Sequence, residues 1–306
     1  MPSSPPRACL SVVIITLNAA GQLAACLESA AFADDIVVVD SGSSDATREL
    51  AGAAGVRVIE LPWRGFGPQK QAAVAAARHD WVLCLDADER VSPALRAAIE
   101  ALLAGPAAAV AGNGTDTDTQ PAWPPGLAPA WRMARANRFL GRVLRHGEGY
   151  PDWSLRLFHR VHARWSDDAV HEKVLTDAAV GTLAGDLQHE SAESLEAYLA
   201  KQNRYTTLQA GQLHADGARA GWTRIAFSPL LRFVKFYVFR LGFLDGVPGL
   251  VHIGIGCANS MLKYAKLRDV ARLERQAQAP SLPADQHASD QRAGDRHAGV
   301  QPRSRP

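Results

Sequence analysis

Short apolar runs alternate with amphipathic stretches along the first third of the chain. SVVIITLN, IVVVD, VRVIELP and WVLCLDADE are largely apolar, and turn residues close each of them. Runs of this length and character are what strands buried in a parallel sheet look like. Between them Leu23, Cys26, Leu27 and Ala30 share one helical stripe. SSDATRELAGAAG predicts a helix capped by Ser43 or Ser44, and QKQAAVAAARHD an alanine-rich helix. In SPALRAAIEALLAG, Ser92 is the expected N-cap, Pro93 the first helical residue and Gly105 the stop. Strand and helix thus alternate from residue 10 to 105. That alternation predicts an α/β fold, a doubly wound and mostly parallel sheet covered by helices on both faces.

Beyond Gly105 the pattern breaks. Residues 105–130 are rich in Gly, Pro, Thr and Asp and are expected to be a flexible insertion. From Trp131 to about His189 short strand-like pieces return, with more aromatics, Arg and His. The segment 221–270 is apolar and basic, and 271–306 is too polar to pack, hence an expected disordered tail. Residues 1–9 read as an extension ahead of a catalytic domain spanning 10–220.

Composition narrows this picture. Of 306 residues, 47% are hydrophobic, ample for a core, and the net charge of +2 offers nothing to nucleic acid. Four scattered cysteines without a CxxC pair argue against disulfides or zinc and for a reducing cytosol. The polar, proline-rich MPSSPPRA is no secretory leader. The charge-free run Gly246 to Leu262 is short and polar for a bilayer span. Arg232, Lys235 and Arg240 interleave with Phe233, Phe236, Tyr237 and Phe239. Such mixing suits a helix lying on an anionic membrane surface; an ordinary helical subdomain is the competing reading.

The chemistry concentrates at two acidic strand ends, Asp40 and the pair Asp86 and Asp88. In open α/β sheets ligands bind in the crevice beyond the carboxyl ends of the strands. Residues two apart on a strand point the same way, so Asp86 and Asp88 can address one cation or its phosphates. Hard cations such as Mg²⁺ are held by one or two carboxylates plus substrate phosphates. No G-x-G-x-x-G follows the first strand, which disfavours a dinucleotide dehydrogenase and leaves Asp40 as ribose contact or turn-former. A sugar-nucleotide nucleotidyltransferase would want a glycine- and lysine-rich loop where AAGQLAAC stands.

SVVIITLN, VVVDSGSSDAT, FGPQKQAA and WVLCLDADE together resemble the family 2 glycosyltransferases of GT-A fold. YPDWSLRLFHR, ARWSDDAVHEKV, GDLQHE and FRLGFLDGVPG are similar to a narrower bacterial group, the lipopolysaccharide inner-core β-glucosyltransferases. The resemblance spans about residues 10 to 268, with Ala46 where the family usually has Gly. It implies inverting, metal-dependent hexose transfer, from UDP-glucose, onto a glycolipid acceptor at the cytoplasmic face of the inner membrane. Another cell-envelope acceptor is the alternative.

Carried over, Asn18 and Asp40 line the base and ribose pocket, and Gln69 and Lys70 approach the nucleotide. Asp86 contacts ribose or metal, and Asp88 ligates the metal, Mg²⁺ or Mn²⁺. In DDAVHEKV, His171 is an extra metal or diphosphate ligand and Glu172 the base, with Asp167 and Asp168 as rivals. Trp153 is core or a sugar platform. Arg156 and Arg160 are phosphate clamps or surface residues, Arg156 with Trp153 on the acceptor side. His189 and Glu190 mark a strand end without an assigned role.

Overall fold

The structure, a computed structural model, describes residues 7–105, 107, 123–124, 126–168, 172–190 and 194–278. The first third follows the hydrophobic pattern closely. Strands β1 (Leu10–Thr16), β2 (Asp35–Asp40), β3 (Arg57–Glu60) and β4 (Trp81–Asp86) alternate with helices α1 (Ala20–Ala30), α2 (Thr47–Ala53) and α3 (Phe66–Ala75). A short β5 (Glu89–Val91) precedes α4 (Pro93–Ala104). The stripe of α1 is buried as expected at Leu23, Cys26, Leu27 and Ala30. Ser92 caps α4 by accepting from the Leu95 N–H at 3.2 Å, with Pro93 in the first turn. Neither Ser43 nor Ser44 caps α2. The N-cap position is Ala46, Asp45 just before it accepts the Thr47 N–H at 3.0 Å, and the two serines are drawn to Asp40 and Asn18.

The second half completes the sheet with β6 (Ala130–Phe139), β7 (Arg142–Val143), β8 (Asp152–His159) and β11 (Val180–Glu190); β9 (Arg164–Trp165) and β10 (Val174–Leu175) form a separate ribbon. Among the described residues the main sheet runs β3-β2-β1-β4-β8-β6-β11-β5, with β7 on β6. β1 to β4 are mutually parallel, and β11 is parallel to β6. β8 runs antiparallel between β4 and β6. This reversal brings the start of β8 to the same sheet edge as the ends of β1, β4, β6 and β11.

Two apolar layers enclose the sheet. One holds Leu10, Ile14, Leu23, Leu83, Leu95 and Ile99, the other Val13, Val37, Val74, Val82 and Phe158. Ala8 is buried, so the core reaches back into the expected N-terminal extension. Most of the expected insertion lies outside the described residues, but its ends are packed. Ala107 and Leu127 are buried and Trp123 sits against Trp81 and His159.

A helical layer follows: α5 (Leu195–Ala215), α6 (Trp222–Phe233), a π turn Val234–Phe239, a 3-10 turn Gly242–Asp245 and α7 (Gly246–Gln278). Both α5 and α6 pack along α7. The helical part therefore begins at Leu195, not near residue 221, because α5 turns its Thr206 to Lys266 of α7 (2.8 Å). It continues to Gln278, past the expected start of the tail at 271; residues 279–306 lie outside the described residues. No single described helix is long and apolar enough to cross a membrane. The pair Trp222–Phe239 and Gly242–Ala277 meets the length and composition only jointly, bent by 75°.

Candidate active site

The converging strand ends leave a cavity of about 990 Å³. One wall comes from β1, α3 and β4: Ile15 to Ala19, Trp63, Phe66, Lys70, Asp86 and Asp88. The facing wall comes from β6, the 148–152 segment, α5 and α7: Arg135, Asn137, Phe139, Glu148, Asp152, Tyr198, Lys201, Tyr205 and His252. Glu172 and His189 also line it.

Asp40 and Gln69 do not reach this cavity. Asp40 is fully buried and accepts from the Thr16 hydroxyl (2.9 Å), the Gly42 N–H (3.0 Å) and the Ser43 N–H (2.8 Å). Burial alone would raise its carboxyl; the Ser43 and Thr16 hydroxyls and the turn amides outweigh this and hold it below the usual value. These bonds are those of a turn-former. Its turn positions Ser44, whose N–H donates to Asn18 Oδ1 at 2.8 Å, and Asn18 does line the cavity. Gln69 is likewise buried and donates to Ser41 Oγ and Leu61 O, each at 3.1 Å.

Asp86 and Asp88 occupy different environments. Arg156 Nη2 lies 2.8 Å from Asp86 Oδ2, and Lys70 Nζ lies 3.1 Å from Oδ1. Burial pushes the Asp86 carboxyl up, but Arg156 and Lys70 overcome it and leave it far below the usual range. Asp88 instead faces His189 Nε2 at 3.2 Å, and His189 Nδ1 lies 2.8 Å from Asn137 Oδ1. Sequence reasoning marked His189 but gave it no role. The pairing depends on β11 running beside β5 and β6, a long-range contact.

Glu89 was not singled out, though it closes the acidic turn. Fully buried, it accepts the Asp86 N–H at 3.0 Å and Arg156 Nη2 at 2.8 Å, with Arg135 Nη1 at 3.5 Å. The available signal was a third acid directly after Asp86 and Asp88.

Glu172 meets Lys70, Oε1 to Nζ 2.8 Å. Gly67 brings them together. Its N–H donates to Asp168 O at 3.1 Å, and a Cβ there would lie 2.1 Å from Ser166 O, so only glycine allows α3 to press on that loop. The rival bases Asp167 and Asp168 are exposed and line no part of the cavity. His171 lies outside the described residues. Neither expected acceptor residue lines the cavity. Trp153 is 47% exposed and stacks with Arg132, and Arg156 is buried beneath Asp86 and Glu89 as their counter-ion. Arg160 pairs with Asp80 at 2.8 Å, away from the cavity.

Among the described residues no three His, Cys, Asp or Glu side chains cluster as a complete metal site. A magnesium- or manganese-type ion needs only one or two carboxylates plus substrate phosphates. Asp88, cavity-facing and engaged by a histidine rather than by a fixed cation, fits that requirement with His189 beside it. Asp86 fits less well, because Lys70 and Arg156 already neutralise it.

Acidic and basic side chains at the carboxyl edge of an open α/β sheet, facing one cavity, define an enzyme of the ligand-crevice class. The model of glycosyl transferase family 2 matches residues 11–164, and the chain belongs to that family; it is a glycosyltransferase built on the expected α/β sheet. It is 32% identical over 270 residues to "Lipopolysaccharide core biosynthesis glycosyltransferase LpsC" of Rhizobium meliloti (strain 1021), covering 86% of this chain and 93% of that one. An uncharacterized glycosyltransferase of Rickettsia bellii (strain RML369-C) is 29% identical, covering 86% and 87%. Among solved structures, S. aureus TarS 1-349 in complex with UDP-GlcNAc aligns at a TM-score of 0.43 and 13% identity, over 88% and 92% of the two chains. That likeness is too distant to carry substrate information.

Proposed function

We propose that the protein transfers a hexose, glucose from UDP-glucose, to a sugar hydroxyl of a glycolipid acceptor in lipopolysaccharide core assembly, inverting the anomeric centre. The name of the Rhizobium relative supports the acceptor class. The observation that carries the mechanism is the placement of Asp88 with His189 and Glu172 with Lys70 around one cavity.

The donor's uracil and ribose would lie along Asn18 and the end of β1, with the diphosphate toward Asp88. A divalent cation held by Asp88, with His189, would offset charge developing on the departing diphosphate. Glu172, held ready by Lys70, takes the proton of the acceptor hydroxyl. The hydroxyl oxygen bonds to the anomeric carbon as the bond from that carbon to the diphosphate breaks, and UDP leaves with the electron pair. A single displacement without a protein nucleophile inverts the configuration. The facing wall, with Tyr198, Tyr205 and Phe139, offers ring faces suited to a sugar acceptor. The acceptor's lipid anchor implies work at the cytoplasmic membrane face, docked on anionic lipid.

The test is a panel of UDP-, GDP- and dTDP-sugars offered with truncated core oligosaccharide, products read by mass. Hexose addition from UDP-glucose alone is the expected result. Transfer only from a GDP- or dTDP-sugar would overturn the donor assignment, and transfer only to a non-core acceptor would overturn the acceptor.

A further inference from the structure

The bend between the π turn and α7 leaves a cluster of large apolar side chains uncovered. Phe239 is 78% exposed and Val247 70%, with Leu241, Phe243, Leu244 and Leu250 each above 40%. α6, which leads into the bend, buries none of its residues. From Gly217 to Arg268 the sole acidic residue is Asp245, and it is 1% exposed. Its carboxylate is turned inward to the N–H groups of Arg145 (2.9 Å) and His146 (2.7 Å). Lys235 and Arg240 are exposed on the turn that leads into the apolar cluster. An apolar tip flanked by cations, in a stretch of chain free of exposed acids, is complementary to an anionic lipid surface.

The cations are less available than their number suggests. Arg232 is engaged with Glu148 and with Ser260 Oγ (3.1 Å), and Arg240 Nη2 donates to Tyr150 O at 2.9 Å. What remains for a membrane is chiefly the apolar tip. The bend is also bolted to the cavity. The Gly147 N–H donates to Arg240 O at 2.8 Å and Arg142 Nη2 to Leu244 O at 3.1 Å. Glu148 and Gly149 of that same segment line the cavity.

We infer that the bend Phe239–Leu250 is a wedge that inserts shallowly into an anionic bilayer beside the cavity mouth, so that an amphiphilic acceptor is taken directly from the leaflet. This rests on the glycolipid-acceptor reading above and adds how and where the lipid surface is met. Apolar insertion, more than charge, holds the protein there.

The full chain is floated with phosphatidylcholine vesicles and with vesicles containing phosphatidylglycerol, at low and high salt. Wild type and Phe243→Ser/Val247→Ser are compared; both sites are exposed, and thermal melts confirm that the variant folds. We expect binding to anionic vesicles that persists in part at high salt and weakens about tenfold or more in the variant. Transfer to a water-soluble, delipidated core acceptor should be unchanged, while transfer to vesicle-embedded acceptor falls. Binding abolished by salt and indifferent to the double substitution would overturn the wedge. So would no binding at all, resistance to alkaline carbonate extraction, or a dimer that the substitution dissolves. Vesicle binding as expected with no transfer to any core acceptor would sustain the wedge and sink the acceptor reading instead.

Discussion

The cavity wall made by residues 15–88 and the wall made by residues 135–252 are built by different means. On the first, most polar side chains sit at or just past the end of an apolar strand, so position along the chain sets position in space. Asn18 follows β1 by two residues, Asp86 ends β4 and Asp88 follows it by two, while Lys70 comes from α3. On the second, Arg135, Asp152, Glu172, His189, Tyr198 and His252 come from six separate segments and meet only through long-range contacts. Donor chemistry is thus written locally and acceptor chemistry globally. Substitutions on the first wall, and at His189 beside Asp88, should act on nucleotide and metal, those elsewhere on the second wall on acceptor use.

The largest effect expected is Glu172→Gln, which keeps shape but removes the proton acceptor. Turnover should fall about 10²- to 10⁴-fold, with Asp168→Asn near wild type. A dead Asp168→Asn beside an active Glu172→Gln would break the assignment. Next is Arg156→Ala. It leaves Glu89 as a buried charge without its main partner, at a cost of about 3–5 kcal/mol, measurable by denaturant unfolding. If Arg156 were instead an acceptor clamp, stability would hold and only the acceptor KM would rise.

A smaller effect is expected with pH. Burial pushes the His159 imidazole down to about 4, from 6.5, in its setting between Trp81, Trp123 and His162. The unfolded chain then takes up a proton that the folded one refuses. This contribution is complete above pH 6.5 and is lost as pH falls from about 6.5 toward 4, by something on the order of 2–3 kcal/mol. His159→Phe should flatten that slope in tryptophan-monitored unfolding. The smallest effect is at Trp153, which lines no part of the cavity. Trp153→Ala should change acceptor KM by less than about threefold, since exposed positions tolerate substitution; a tenfold rise would return Trp153 to the acceptor site.

The same contrast governs what the sequence made legible. The four parallel strands, the buried stripe of α1 and the Ser92 cap follow from period and cap chemistry, which are local. Lys70 and Asp88, marked in the sequence because they sit in or beside such elements, both line the cavity. Asp40 and Gln69 lie beneath the cavity and not on it, because a strand-end polar residue can serve the turn, and its hydrogen-bond partners are not visible in the sequence. Arg156 looked like a clamp because nothing local shows that β8 runs antiparallel and sets it under Glu89. His189 lacked a role for the same reason.

Binding and turnover of the two central variants, measured together, test the account most directly. UDP titrated calorimetrically in the presence of Mn²⁺ should bind wild type and Glu172→Gln alike and bind Asp88→Ala far more weakly, while neither variant transfers sugar at an appreciable rate. Wild-type UDP binding by Asp88→Ala, or loss of UDP binding in Glu172→Gln, would contradict the division of the cavity into a donor wall and an acceptor wall.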